Sequence, residues 1–318
     1  MSIYVVTGGA GFIGSHLTTR LGQAGHTVRV LDNFSSGAAR GRAGTLADLP
    51  HVTVIEGDIR DPDICRRTLR GADFVLHHAA EASVPHSIED PGGCVAINIG
   101  GTINLLEAAR QAGTIQRFVF ASSCAVYGDT PGLSKSEGSE SDPLSPYASS
   151  NLAAEYFCRN YFCLHGLQTV ALRYFNVYGP GQDPNGAYAA VIPKFITAIT
   201  SGGQPTIYGD GEQSRDFIYV EDIVEANLRA ASARNVGGRA FNIGSGQSAS
   251  LKQILEKLEK ILGRPIETDN QPPRAGDIKH SRSDIAAAAD LLGFLPSVPL
   301  MDGLARTLQW FTKAGIEK

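Results

Sequence analysis

The chain has 318 residues, of which 42% are hydrophobic and 19% are charged, and its formal net charge is −4. This is the composition of a globular protein with more than one packed lobe, because a single core rarely grows beyond roughly 250–300 residues. The slightly acidic balance argues against nucleic-acid and anionic-membrane binders. We find no apolar run near the roughly 18 residues of a membrane span and no secretory leader, and therefore predict a cytosolic protein that binds a small molecule.

The first predicted elements are a strand, a glycine-rich turn and a helix. Residues 3–6 are apolar and β-prone, residues 7–14 read TGGAGFIG, and apolar residues then recur at helical spacing. The glycines fit both GxGxxG and GxxGxxG, so the backbone amides of the turn can approach a pyrophosphate at the helix N-terminus. We predict a dinucleotide site built on Gly8, Gly11, Phe12, Ile13 and Gly14.

A second predicted strand, 27–31, ends at Asp32. A carboxylate about 20 residues past the glycines is placed to bind the adenosine ribose hydroxyls. It would repel a 2'-phosphate, and the following Asn33 supplies no cation, so NAD is favoured over NADP. Arg40 or Arg42, in what we predict to be a loop, would weaken that preference.

Asp58 and Ile59 follow the third predicted strand, 52–56. That place in a nucleotide-binding sheet puts them at the adenine edge of the cofactor. The alternative for Asp58 is a cap of the helix that starts near residue 62.

The rest of the chain predicts an α/β fold, a doubly wound parallel Rossmann sheet with a smaller C-terminal α/β substrate lobe. Strands at 74–77, 117–122 and 169–172 alternate with helices at 101–111 and 152–164, as in a parallel sheet. Gly/Pro-rich sequence follows Asn176, and helices are predicted at 190–200, 251–262 and over most of 284–318. We predict an NAD-binding domain at 1–178 with a return segment at about 213–246, and a sugar-nucleotide lobe at 179–212 and 247–318.

Ordered motifs along nearly the whole chain carry a family resemblance. Besides the opening glycines, they are residues 78–84 (HAAEASV), 98–102 (NIGGT), 121–128 (ASSCAVYG), 145–147 (SPY), 173–176 (RYFN), 209–211 (GDG), 215–217 (RDF) and 274–277 (RAGD). The chain resembles the extended short-chain dehydrogenase/reductase family in its sugar-nucleotide epimerase/dehydratase group, and within it the UDP-N-acetylglucosamine (UDP-glucose) 4-epimerases. The resemblance implies NAD as cofactor and a UDP-sugar as substrate.

In that family a tyrosine is the acid/base and a serine hydrogen-bonds the reacting hydroxyl, roles that fall on Tyr147 and Ser123. The implied reaction is 4-epimerisation through a transient 4-keto sugar. Dehydratase relatives carry an Asp-Glu pair after the serine and decarboxylase relatives a Glu, whereas this chain has Cys124 and Ala125, which cannot transfer a proton at C5 or C6. The further cofactor contacts that the resemblance implies are Ala79, Ala80, Asn98, Ser122, Tyr147 and Tyr174.

The resemblance also implies a substrate pocket. Its residues are Ser123, Asn176, Val191, Tyr208, Arg215, Asn242, Arg274, Asp277 and Ser281, with the arginines on the diphosphate and Asp277 on the uridine ribose. Glucose-restricted epimerases carry a tyrosine where this chain has Ser281, so room for a 2-acetamido group favours UDP-GlcNAc/UDP-GalNAc over UDP-Glc/UDP-Gal. A glucuronate epimerase or another sugar-nucleotide oxidoreductase is less favoured, because no basic residue is recognisable near Asn176 to receive a carboxylate.

One departure from the family pattern is Asn151, which stands where the family has a lysine one helical turn after the tyrosine. A free tyrosine has a pKa near 10, and asparagine supplies no charge to lower it. We expect slow catalysis near neutrality that rises at alkaline pH, unless Lys135 substitutes. The alternative is a silent protein that binds NAD and UDP-sugar.

Two further expectations concern metals and assembly. Five cysteines form no CxxC pair and no Cys/His cluster, so we predict neither a zinc site nor disulfides. Family analogy implies a homodimer through the predicted helices 101–111 and 152–164.

Overall fold

The computed structural model describes residues 1–184, 190–273 and 279–316. The strands are β1 (Ile3–Thr7), β2 (Thr27–Asp32), β3 (Val52–Glu56), β4 (Phe74–His77), β5 (Arg117–Ser123), β6 (Ser134–Lys135), β7 (Thr169–Tyr174), β8 (Asn176–Tyr178), β9 (Thr206–Tyr208), β10 (Ser214–Arg215), β11 (Phe217–Tyr219), β12 (Arg239–Ile243), β13 (Ala249–Ser250), β14 (Asp269–Gln271) and β15 (Arg282–Ser283). The α-helices are α1 (Phe12–Gln23), α2 (Gly37–Ala47), α3 (Pro62–Leu69), α4 (Val84–Glu89), α5 (Pro91–Val95), α6 (Thr102–Ala112), α7 (Pro146–His165), α8 (Val191–Thr200), α9 (Val220–Ser232), α10 (Leu251–Leu262), α11 (Ala286–Leu292) and α12 (Leu300–Ile316). A π-helical segment, Ala96–Gly101, precedes α6, and a 3-10 turn, Cys124–Tyr127, follows β5.

The centre of the molecule is a seven-stranded sheet in the order β12-β7-β5-β4-β1-β2-β3. All its strand pairs are parallel. The chain moves outward from β1 to β3 and then returns to the other side of β1 with β4, so the strand order reverses between β1 and β4. Ligands of doubly wound sheets bind outside the carboxyl ends of the strands at such a reversal. The predicted α/β Rossmann fold is confirmed.

Helices cover both faces of this sheet, which is why its strands are almost continuously apolar. On one face α1 and α9 pack against buried side chains such as Val6 and Leu172. On the other face α3, α6 and α7 pack against side chains such as Val5 and Phe118. The strand ends are therefore the places where polar groups of the sheet can meet a ligand.

A third apolar core lies outside the main sheet. It contains Ile196 of α8, Ile207 of β9, Leu255 of α10 and Leu304 of α12. Strand β8, which follows β7 after one residue, pairs with β11 rather than with the main sheet. The chain then returns through α9 to β12 at the edge of the main sheet. The exact domain boundaries stay a prediction.

Two predicted elements differ from the structure. Helix α7 begins at Pro146 rather than near residue 152, because the Ser145 hydroxyl accepts a hydrogen bond from the Ala148 amide at 3.1 Å and proline suits the first helical position. Tyr147 therefore lies in the first turn of a helix. Residues 37–47, predicted as a loop, form α2; their run of glycine, alanine and arginine has no apolar periodicity from which a helix could be predicted.

Across the described ranges, none of the helices combines the length and the apolar character that a membrane span requires.

A buried ion pair joins α7 to the main sheet. Glu155 and Arg173 have side-chain exposures of 8% each, and Arg173 Nη2 lies 2.7 Å from Glu155 Oε2. The Ser122 hydroxyl donates to Glu155 Oε1 at 2.5 Å, and Arg173 Nη1 donates to the Tyr127 hydroxyl at 2.8 Å. Burial alone would lower the pKa of Arg173, but hydrogen bonding to Glu155 and its charge outweigh burial and raise it.

Replacing Glu155 by alanine should destabilise the protein by about 3–5 kcal/mol, because it leaves a buried guanidinium without its counter-charge. Urea unfolding followed by circular dichroism measures this change. The control is Glu107→Ala, which removes a partly exposed helical ion pair with Arg110 and should cost far less. Equal losses in the two variants would contradict the structural role of the buried pair.

Candidate active site

The glycine turn between β1 and α1 has the shape of a phosphate cradle. Gly8 has a φ of 64°, which favours glycine. A Cβ on Gly14 would lie 2.1 Å from the Gly8 carbonyl oxygen, so only glycine lets the helix start this close to the turn. Within the described chain no side chain caps α1, whose N-cap is Gly11. Its first amides, including those of Phe12 and Ile13, can therefore donate to a pyrophosphate.

Asp32 ends β2 beside this turn. Its side chain is 7% exposed, Oδ2 accepts from the Ala10 amide at 3.0 Å, and Oδ1 accepts from the Phe34 amide at 2.9 Å. Both oxygens keep acceptor capacity for ribose hydroxyls, since a carboxylate oxygen can accept two hydrogen bonds. The residues present thus fit NAD, with the turn on the pyrophosphate and Asp32 on the ribose.

Asp58 and Asn33 meet at the same edge of the sheet. Asn33 Nδ2 donates to Asp58 Oδ2 at 3.0 Å. Hydrogen bonds from Arg60 above all lower the pKa of Asp58 to about 2. The helix α3 is capped by Asp61 instead, so the capping alternative for Asp58 is wrong. Ile59 is buried and would block a Cβ on Gly101 at 2.4 Å.

The end of β4 closes the turn from the other side. The Ala79 amide donates to the Thr7 hydroxyl at 3.2 Å, and the backbone there lies so near Gly8 that a Cβ would come within 2.7 Å of the Ala79 nitrogen. Ala80 follows and is exposed. Small side chains at both positions leave space beside the turn.

Ser123 and Tyr147 come together from two elements. Ser123 ends β5, where its Oγ accepts from the Ala125 amide at 3.1 Å. Tyr147 lies in the first turn of α7, whose start is fixed by the Ser145 cap. Burial raises the pKa of Tyr147 above 10, while hydrogen bonding to Ser123 and Asn151 acts in the opposite direction. The net result is a phenol that holds its proton at neutral pH.

Two positions were considered as the source of a cation beside Tyr147, residue 151 and Lys135, and neither supplies one. Asn151 is 5% exposed, and its Nδ2 donates to the Tyr147 backbone carbonyl at 2.9 Å, one turn back along the helix. Lys135 is buried in another place: its Nζ donates to the carbonyl and hydroxyl of Thr130 and to the Pro131 carbonyl. The suggestion that Lys135 substitutes for the lysine is wrong, because its ammonium is occupied in that loop.

Tyr147 lines a cavity of about 740 Å³. Four of the predicted substrate residues also line it: Asn176, Val191, Tyr208 and Arg215. Asn176 stands at the start of β8, where Nδ2 donates to the Asp216 carbonyl at 3.1 Å. The cavity thus runs from the phenol of the acid/base candidate to an arginine that suits a diphosphate.

Other predicted substrate residues have different positions. Arg274 and Asp277 lie outside the described residues, as do residues 185–189. Ser281 is half-buried, and its amide donates to the Ser214 carbonyl at 3.1 Å, next to Arg215. The short Ser281 side chain is therefore close to the cavity wall, although it does not line the cavity itself.

Four predicted ligand contacts use their polar groups within the protein. Ser122 donates to Glu155. Asn98 accepts from the Glu81 amide at 2.8 Å and donates to the Ser150 hydroxyl at 2.9 Å. The Tyr174 hydroxyl bonds His78 and Asn227. Asn242 is fully buried, with its amide between Tyr127, Lys135 and Asp284, and it does not line the cavity. These four side chains brace the site; a ligand contact by any of them stays a prediction.

Sequence reasoning missed several residues of the cavity wall. Gln213 and Thr206 line it, and Gln213 Nε2 donates to the Tyr208 carbonyl at 2.8 Å. Lys194, on α8, lines it as well. The signal for Gln213 and Thr206 was their place on both sides of the Gly209–Gly211 turn, whereas no local pattern marks Lys194 as a residue of the cavity wall. In the described part of the chain, no three His, Cys, Asp or Glu side chains are grouped to hold a metal ion.

Known proteins with the same architecture cover the whole chain. The chain is 37% identical to the UDP-glucose 4-epimerase of Mycolicibacterium smegmatis over 96% of this chain and 97% of that protein. The UDP-N-acetylglucosamine 4-epimerase of Methanobrevibacter ruminantium, in complex with UDP-N-acetylmuramic acid, superposes with a TM-score of 0.93 at 39% identity, covering 98% of this chain and 99% of that one.

A third relative carries a cofactor. The UDP-glucuronic acid 4-epimerase of Bacillus cereus, in complex with UDP-glucuronic acid and NAD, superposes with a TM-score of 0.90 at 33% identity, covering 98% of this chain and 99% of that one. The family model described as NAD dependent epimerase/dehydratase matches residues 4–244, which include the turn, Asp32, Ser123 and Tyr147. The cofactor is NAD, and the chain belongs to the NAD dependent epimerase/dehydratase family.

Proposed function

We propose that the protein is an NAD-dependent 4-epimerase of UDP-hexoses that interconverts UDP-GlcNAc and UDP-GalNAc through a transient 4-keto sugar. UDP-Glc and UDP-Gal are a weaker pair. The observation that carries the proposal is the position of Tyr147, beside Ser123 and in the wall of the same cavity as Arg215. Related chains of known structure or sequence include 4-epimerases of UDP-GlcNAc, UDP-glucose and UDP-glucuronic acid, which supports the reaction type more than one sugar.

In the proposed mechanism Tyr147 takes the proton from the sugar 4-hydroxyl and later returns it. Ser123 keeps the hydroxyl oriented toward the phenol. When bound, NAD supplies the hydride acceptor and donor for C4. Burial holds the pKa of the neighbouring Cys124 thiol near 12, so this residue stays neutral and offers no acid/base group at C5 or C6. That favours epimerisation over elimination of water.

Arg215 holds the diphosphate in this proposal, while the hexose lies between Tyr147, Asn176 and Val191. Lys194 lines the described cavity wall together with Asn176, so the wall itself does not argue against a glucuronate. Ser281 lies close to this wall, and its short side chain would leave room where a tyrosine could reach the pocket. The choice of serine favours a hexose with a 2-acetamido group.

A second candidate function is a protein that binds NAD and UDP-sugar without turnover. The observation that favours it is the Asn151 amide, which bonds the Tyr147 backbone carbonyl and supplies no positive charge. The homodimer and the cytosolic location stay predictions. The dimer has some support in Tyr156 and Leu164 on α7, large apolar side chains that are 56% and 75% exposed.

The unmodified protein should epimerise UDP-GlcNAc slowly at pH 7 and faster at each higher pH, about tenfold per pH unit while the phenolate is the minor form. The sign follows from the raised pKa of Tyr147: the reactive form appears only as pH rises toward that value. Asn151→Lys should shift the profile to lower pH and raise kcat at pH 7 roughly tenfold to a hundredfold, because a nearby cation lowers a phenol pKa by about 1–2 units. The assay is conversion of UDP-GlcNAc to UDP-GalNAc with added NAD.

Asn151→Gln is the control, since it keeps an amide without charge and should give no gain at pH 7. Activity in the lysine variant only would favour the silent-binder alternative for the unmodified chain. A pH-independent rate equal to that of the lysine variant would contradict the role assigned to Asn151, and no epimerisation in either protein would contradict the proposed function.

Ser281→Tyr should lower kcat/KM for UDP-GlcNAc by about tenfold or more relative to UDP-Glc, because a bulky ring fills the space for the acetamido group. Each sugar serves as the control for the other in the same protein preparation. The comparison is made in the Asn151→Lys background if the parent is too slow to measure. An equal loss with both sugars would argue that Ser281 does not select the substituent at C2.

A further inference from the structure

Two side chains outside the predicted site tie the loop after β8 to the cofactor turn. The loop is residues 179–182, which we call the strap. Arg42, on α2, donates Nη1 to the Ala10 carbonyl at 3.0 Å and Nη2 to the Gly181 carbonyl. His16, on α1, bonds the Pro180 carbonyl through Nε2 at 2.9 Å. The two ties reach the strap from different helices.

The strap is joined to the part of the fold that can bind the dinucleotide. It begins after β8, which follows the carboxyl end of β7, and its Pro180 contacts His16, one turn after the first residue of α1. The rings of Phe12 and His16 pack edge to face, with centroids 5.9 Å apart. The first turn of α1 carries the amides that can bind a pyrophosphate. A strap fastened at this point limits the opening through which a dinucleotide leaves.

Both donors keep the hydrogens that these two ties need near neutral pH. A backbone carbonyl only accepts, so Nε2 of His16 must carry a hydrogen. Burial above all lowers the pKa of His16, which keeps it neutral with that one hydrogen placed on the strap. Burial also lowers the pKa of Arg42, offset by the charges of Asp183 and Asp32, but a guanidinium stays charged at any physiological pH.

Arg42 also connects the strap to the ribose end of the site. The Ala10 peptide accepts from Arg42 through its carbonyl, and the amide of the same residue donates to Asp32. Gly181 has a φ of 81°, and a Cβ there would come within 3.8 Å of the Arg42 guanidinium. Hydrogen bonds through Arg42 and Ala10 thus connect the strap, the turn and Asp32.

We propose that residues 179–182 are a cofactor-retaining strap latched by Arg42 and His16. 4-Epimerisation requires the cofactor to stay bound, because the hydride taken from C4 must return to the same sugar. In this respect the inference rests on the proposed function. The geometry of the latch and its effect on NAD release do not depend on which sugar is used. Arg42 and His16 are positioning residues in this role, since they hold the backbone rather than the reacting atoms.

The test measures cofactor release without any sugar. The folded protein is loaded with NADH and mixed with excess NAD, and the loss of bound NADH fluorescence gives the release rate. Arg42→Ala should release NADH roughly tenfold to a hundredfold faster, because two charge-assisted hydrogen bonds are lost. Arg42→Lys should also release it faster than the parent, since one ammonium cannot span both carbonyls as a planar guanidinium does.

The matched control is Arg40→Ala on the same helix. Arg40 pairs with Glu56 at 2.9 Å in solvent and lies over the Phe34 ring, 5.1 Å from its centroid, so its loss should leave the release rate within about twofold. A second variant, His16→Phe, keeps the ring packed on Phe12, removes the donor and should give a smaller increase than Arg42→Ala.

Release from Arg42→Ala and His16→Phe at the parent rate, with unchanged circular dichroism, would overturn the strap. So would an equal acceleration in Arg40→Ala. Because no sugar is present, faster release together with an absent epimerase activity would leave the strap standing and would count against the proposed substrate reaction only.

Discussion

Glu155 and Arg173 are opposite charges in a region from which water is excluded, and the two halves of the candidate site meet around them. Glu155 is on α7 with Tyr147, and it holds Ser122, the neighbour of Ser123, on β5. Arg173 is on β7. Removing either charge would leave the other buried and unpaired, which is far more costly than the net gain of the pair itself. The helix and the two strands are therefore locked in one arrangement, and the distance between phenol and serine follows from it.

Residue 151 takes no part in this buried ion pair. The position of Tyr147 and the electrostatic environment of its hydroxyl are therefore set by different residues in this protein. Asn151 is buried and bonds the helix backbone, so α7 keeps its path without the family lysine. What is missing is electrostatic: lowering a phenol pKa by three units takes about 4 kcal/mol, and an amide dipole cannot supply it in place of a full charge. An ordered site with a protonated phenol is the expected result.

The roles of Ser123 and Tyr147 were implied by the family resemblance. The parallel sheet, the glycine turn and the Asp32 end of β2 were predicted from the residues themselves. These depend on periodicity and on motifs whose members lie near one another in the chain. Sequence reasoning failed where a side chain finds its partner across the fold. Arg42 and Gly181 are 139 residues apart in the chain. The Lys135 ammonium donates to the Thr130 carbonyl. Asn242 is hydrogen-bonded to three different segments of the chain. No local pattern encodes such contacts, because they follow from topology.

The scarcity of the Tyr147 phenolate and the strap affect the same quantity, the number of turnovers that one bound cofactor completes. If proton abstraction depends on a phenolate that is a minor species, each catalytic cycle takes longer to begin, and the cofactor has to stay bound through a longer wait between turnovers. The ratio of cofactor release to proton abstraction then decides how many turnovers each bound cofactor completes. A slower acid/base step lowers that number unless release is slowed in proportion. A latch on Ala10 and Gly181 therefore matters more in a chain with Asn151 than in one whose tyrosine has a lysine beside it.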